Sequence, residues 1–222
     1  MRSFVYSLIK NRMFYPLQIV RFVRLNLITN SIVRAKRKFL VASPTTIVDI
    51  AKDAHIYLNT NVEIGWCNMM RSNIETGLTM EKGSCLKLSG GGTILIGYGS
   101  YIQIGENARL ELNDCFINRE VKIICNKEIL IGKGTIIAMG TVIRDNDGGN
   151  HKLLNGNYEN RKSVHIGNHV WIGENCFIMK GVTIGDGAVI GACSVVTHNI
   201  PPQALAVGNP AKVIRTNIEW DC

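Results

Sequence analysis

Residues 166–198 read IGNHVW (166–171), IGENCF (172–177), IMKGVT (178–183), IGDGAV (184–189), IGACSV (190–195) and VTH (196–198), a stretch that repeats every six residues. A short fixed period signals stacked identical units, and six matches no helical periodicity. The first residue of every unit is a branched aliphatic, and the fifth is Val170, Cys176, Val182, Ala188 or Ser194. From a fifth position to the next first position is two residues, and side chains two apart on a strand share a face. Both positions are therefore expected to point inward, with large aliphatics beside small residues. The glycine after the aliphatic (Gly167, Gly173, Gly185, Gly191) is expected to permit a sharp corner. Short flat strands joined by tight corners, coiled and stacked, make a prism-shaped solenoid.

Working outward, the pattern recurs over Ile131–Ile143 and, more loosely, at Ile64, Ile96 and Ile104, so the array is expected from about residue 45 to 200. Stacked arrays need caps. The expected organisation is a helical arm at 1–42, an all-β solenoid at 43–200 and a capping tail at 201–222, where Pro201-Pro202 cannot extend a ladder. Between Ile143 and Ile166 the repeat is broken by a polar segment rich in Gly and Asn, 144–165, read as a long functional loop. Ser89-Gly90-Gly91-Gly92 lacks the flanking residues of a phosphate loop and reads as a flexible corner.

The chain of 222 residues is 46% hydrophobic and 19% charged, which suits one substantial core and excludes disorder. Seven scattered cysteines with no C-x-x-C suggest neither a disulfide framework nor a zinc site, only reduced and mostly packed thiols. No long uncharged apolar run and no signal-type N-terminus is present, so a cytoplasmic location is expected. The net charge of +8 is unevenly placed: residues 1–48 carry nine basic residues and no acidic one, leaving sixteen basic against all seventeen acidic residues in 49–222. Apolar residues from Phe4 to Ile28 space as two short helices broken near Pro16. Such an arm either caps the solenoid or holds the protein peripherally against anionic lipid at the inner face of the membrane. It lacks a nucleic-acid motif, and no nucleic-acid partner is expected.

His151, in the interrupting loop, follows Asp145 and Asp147. A base working near neutral pH is most often His, and a carboxylate on its other ring nitrogen fixes the tautomer. The bland alternative is a polar turn with an incidental His. His165, at the loop's anchor, is the reserve; His55, His169 and His198 read as surface residues. Trp171 sits at an outward position, which implies a subunit contact or a flat ligand over it.

The segment 166–215, from I-G-N-H-V-W-I-G to A-V-G-N-P-A-K-V-I-R, strongly resembles the hexapeptide-repeat acyltransferases, particularly the maltose/galactoside and polysaccharide O-acetyltransferase branch. The specific likeness covers about 129–215. The resemblance implies a left-handed parallel β-helix, a homotrimer, and acetyl-CoA lying between neighbouring prisms with no metal. It also implies a loop His as general base, which falls on His151. Relatives often read D-x-D-x-H, whereas Gly148-Gly149-Asn150 intervene here, so either Asp145 or Asp147 is left to orient the imidazole. The tail would bring Gly208, Asn209, Pro210, Lys212 and Arg215 beside the coenzyme, with Ala206 and Gly191 along its arm and Trp171 lining the site or the subunit contact. The implied reaction is O-acetylation of a saccharide, as in surface polysaccharide synthesis. N-acetylation of an amino sugar and a non-catalytic trimeric scaffold are the alternatives.

Overall fold

A computed structural model describes residues 16–29, 31–66, 74–149, 153–154 and 156–221. After a helix, α1 (Pro16–Val23), and a π-helical turn (Arg24–Ile28), all regular structure among the described residues is β. The chain visits three sheets in rotation: Ile32–Arg34 lies in the first, Leu40–Ala42 in the second and Thr46–Ile50 in the third, and His55–Leu58 then returns to the first. The sheets hold seven, nine and seven strands. All neighbouring strands pair in parallel except the last, Lys212–Arg215, which runs antiparallel against Leu205–Val207. Parallel pairing requires a long crossover; here the strands of the other two sheets supply it.

In the C-terminal coils the register is strict. Trp171 lies against Val189 and Phe177 against Val195, so one circuit takes three hexapeptides. The inward assignment of positions one and five holds: Ile166, Val170, Ile172, Cys176, Ile178, Val182, Ile184, Ala188, Ile190 and Ser194 are all buried. Where position five is a hydroxyl, its oxygen bonds a corner carbonyl, as in Thr135 Oγ1 to Gly167 O (2.8 Å) and Thr141 Oγ1 to Gly173 O (2.9 Å). Burial thus leaves no orphan at these sites.

Two expectations need revision. The corner's left-handed residue is the fourth of the unit: His169 (φ 52°), Asn175 (55°), Gly181 (77°), Gly187 (69°) and Cys193 (60°). The second-position glycines serve a different need, close approach between coils. A Cβ on Gly173 would lie 2.6 Å from the backbone nitrogen of Ala192, and one on Gly185 would lie 2.4 Å from that of Pro202. The β architecture also begins before residue 43, because Ile32–Arg34 and Leu40–Ala42 pair in parallel with His55–Leu58 and Asn61–Trp66. Leu205–Val207, inside the expected tail, likewise pairs as a further strand of the second sheet. Among the described cysteines, Cys115, Cys125 and Cys176 are buried and Cys193 is exposed. Burial pushes the Cys115 thiol up to about 12.

Candidate active site

The interrupting loop leaves the stack after Val142–Arg144 in the third sheet and re-enters at Val164–Ile166 in the first. His151 lies outside the described residues; its two candidate carboxylates do not, and they differ sharply. Asp145 is fully buried. Its Oδ1 accepts from the backbone of Asn126 (2.8 Å) and from Asn146 Nδ2 (2.9 Å), and its Oδ2 accepts from the backbones of Lys127 (2.7 Å) and Glu128 (2.8 Å). A carboxylate offers about four lone-pair sites, so Asp145 is saturated by the preceding coil and works as the rivet of the loop's base.

Asp147 stands one step further out. Tyr158 Oη and Lys180 Nζ both donate to its Oδ2, and Lys180 also donates to Glu159 O (2.6 Å) and sits 4.2 Å over the Tyr158 ring. Partial burial raises the Asp147 pKa, but the bonds from Lys180 and Tyr158 outweigh it and hold the carboxyl below its usual range. The same contacts outweigh desolvation at Lys180 and raise its pKa. Asn160 closes the loop's neck, its Oδ1 accepting from the Asp147 backbone (3.2 Å) and its Nδ2 donating to Gly149 O (3.2 Å). Tyr158, Asn160 and Lys180 carried no sequence signal, because each acts on a residue eleven or more positions away.

His165, at the loop's anchor, is exposed and lies 3.2 Å from Glu128 Oε1, which gives its ring a carboxylate partner. His55, His169 and His198 are exposed, as expected. Among the described residues no cluster of three or more His, Cys, Asp or Glu could hold a metal ion.

A cleft of about 810 Å³ opens on the outer side of the second sheet. Three of the residues expected beside a coenzyme line it together: Trp171, Gly191 and Arg215. The others lie off it. Ala206 is buried beneath, its carbonyl accepting from Gly191 N (2.9 Å). Gly208, whose N–H bonds Ser194 Oγ (3.0 Å), and exposed Asn209, Pro210 and Lys212 fall outside the lining. The segment 217–220, which sequence reasoning missed because it lies beyond the repeats, also lines the cleft. Trp220 stacks flat on His169 (3.9 Å, 1°), its carbonyl meets His169 Nε2 (2.9 Å), and its ring centroid is 5.9 Å from that of Trp171. Its indole N–H is buried with no partner among the described residues. Two indoles, small Gly and Ala residues, the Arg215 guanidinium and the carboxylates of Glu174 and Glu219 line the cleft together.

A family model described as bacterial transferase hexapeptide (six repeats) matches residues 163–198. Galactoside O-acetyltransferase of Escherichia coli is 38% identical over 123 residues, 55% of this chain and 57% of that enzyme. A maltose O-acetyltransferase structure from Clostridium difficile is 35% identical, covering 62% of this chain and 71% of that one, with a TM-score of 0.43. The polysialic acid O-acetyltransferase structure is 25% identical at a TM-score of 0.50 and covers 86% of this chain and 90% of that one. The chain spans about a third to just over half of the length of the curated relatives it matches.

Proposed function

Since the chain belongs to the hexapeptide-repeat acyltransferase family, we propose that it is an acetyl-CoA-dependent O-acetyltransferase acting on a saccharide hydroxyl, as in polysaccharide synthesis. The observation that carries this reading is the cleft that Trp171, Gly191, Arg215 and Trp220 line together. Its indoles and small residues suit the pantetheine arm, and Arg215 suits a phosphate. The saccharide acceptor follows the activities named for the E. coli and polysialic acid enzymes.

In this reading the coils wind left-handed and the working unit is a cytoplasmic homotrimer. Geometry supports a shared site. The cleft faces outward from the second sheet, whereas the loop interrupts the crossing from the third sheet to the first. One copy therefore holds its cleft and its loop at different places on its perimeter, and a neighbouring copy completes each. Leu153 and Leu154 in the loop, 66% and 95% exposed, are apolar groups that such a neighbour would cover.

His151 acts as general base. It takes the proton of the acceptor hydroxyl as that oxygen attacks the thioester carbonyl; the C–S bond then breaks, and the CoA thiolate recovers the proton. Asp147 is the carboxylate near the loop that could steer this His, since Asp145 has no acceptor capacity left.

The test is CoA release from acetyl-CoA with a panel of oligosaccharides, sugar nucleotides and amino sugars. Acceptor-dependent release should fall by about 10²–10⁴ in His151→Ala with the assembly unchanged. Full activity in that variant would move the base to His165, with its Glu128 partner. Acetyl-CoA that neither binds nor turns over would overturn the enzyme reading.

A further inference from the structure

Residues 21–26 of the arm dock on the stack through polar groups as well as apolar ones, and other apolar residues of the same segment are left outside. Asn26 is only 3% exposed. Its amide donates to Phe22 O (3.0 Å) and Leu40 O (2.8 Å) and accepts from the Leu40 backbone (2.9 Å) and Arg34 Nη1 (2.8 Å). Arg21 donates to Ser43 O (3.0 Å) and Pro44 O (3.2 Å). Leu25 is buried, and Phe22 meets Phe39 at 5.7 Å. These contacts fix which side of the arm faces the protein.

On the opposite side lie Val20, Leu27 and Ile28, at 64%, 74% and 65% exposure, with exposed Arg24 between them. Positions 20, 24, 27 and 28 share one helical face. Val33, on the outer first strand, adds a fourth exposed aliphatic, and Lys36 and Arg37 are exposed close by in sequence. Residues 1–48 contain no acidic side chain to oppose these cations.

We propose that this face is a docking surface for an anionic lipid bilayer, with Val20, Leu27 and Ile28 entering the headgroup–acyl boundary and Arg24, Lys36 and Arg37 meeting the headgroups. A nucleic acid would satisfy the cations but offers nothing to exposed aliphatics, whereas an anionic leaflet supplies both negative charge and an apolar interior. No helix among the described residues is long and apolar enough to cross a membrane; a short amphipathic face of this kind lies in the interfacial plane. The inference is independent of the acetyl-transfer reading.

The test is co-sedimentation of the full chain with phosphatidylcholine vesicles, with and without phosphatidylglycerol, over a range of salt. Binding is expected only to the mixed vesicles and should weaken with salt. Leu27→Ser/Ile28→Ser should weaken it at least about tenfold, and Arg24→Gln by about fivefold. Basal transfer to a soluble acceptor should be unchanged in both variants. Absence of binding to the mixed vesicles, or equal binding to neutral ones, would overturn the proposal. So would a fall in oligomer size for Leu27→Ser/Ile28→Ser, which gives the face to a second copy. Amides 24–28 protected from exchange equally with and without vesicles would give it to another part of this chain, with the same consequence.

Discussion

Asp145 and Asp147, two residues apart and of one chemistry, do different work because of what surrounds them. Asp145 binds three backbone N–H groups of the coil below. Asp145→Asn replaces one acceptor oxygen with a donor, and thermal melts should show a loss of about 2–4 kcal/mol. Spacing along the chain could not reveal this, since the partners lie 17 to 19 residues upstream. Asp147→Asn instead should cost less stability than Asp145→Asn and reduce turnover, with thermal melts and the CoA-release assay separating the two. The pH dependence follows from the depressed Asp147 pKa. That carboxylate contributes stability above its unfolded value of about 3.9 and loses it as pH falls through its folded value. The raised Lys180 pKa works oppositely, contributing below about 10.4 and fading as pH rises through its folded value. Lys180→Met should therefore flatten the acid limb of a stability–pH curve measured by urea melts; an unchanged limb would refute the pairing. At the corners, Cys193 holds a left-handed φ of 60°. Cys193→Gly should gain up to about 1 kcal/mol, the relief of that strain less the added unfolded-state entropy. Gly173→Ala should lose about 1–3 kcal/mol against the Ala192 backbone. Paired melts of these two variants test whether the second and fourth positions have the separate duties assigned to them.

Among the elements, the C-terminal coils were legible because their strands are two residues long and each corner has the same length, so inward residues recur at a fixed interval. Upstream strands run to five or six residues; Arg109 lies against Cys85 on one side and Glu128 on the other, at unequal sequence intervals. The same inward aliphatics are present there, but the hexapeptide frame is lost. Ile32–Arg34 and Leu40–Ala42 carry no repeat signal, because no glycine frames them and cations separate them. Trp171 was found from its outward position, yet the strap that faces it was not, since 217–220 follows no repeat. That strap is tied by Ile218 N to Gln203 O (3.0 Å) and by the Trp220–His169 stack. Losing the stack is worth about 0.5–1.5 kcal/mol, so Trp220→Ala should raise the KM for acetyl-CoA about two- to tenfold with kcat little changed. A fall in kcat alone would assign Trp220 to the chemistry instead of the cleft wall.

At the scale of the assembled molecule, a site divided between copies has a stoichiometric signature. His151→Ala damages only the loop, and Trp171→Ala/Arg215→Ala only the cleft. Mixed trimers of the two should regain about a quarter of wild-type activity, because half the loops and half the clefts are sound and pair at random. No recovery on mixing would place loop and cleft in one copy. The reversal of direction at Lys212–Arg215 reaches beyond a single particle. A stack of parallel coils offers at its end a strand ready to template another, the geometry from which fibres grow. By folding one strand backwards along that edge of the second sheet, and studding it with Lys212 and Arg215, the chain writes a stop into that sheet's growth.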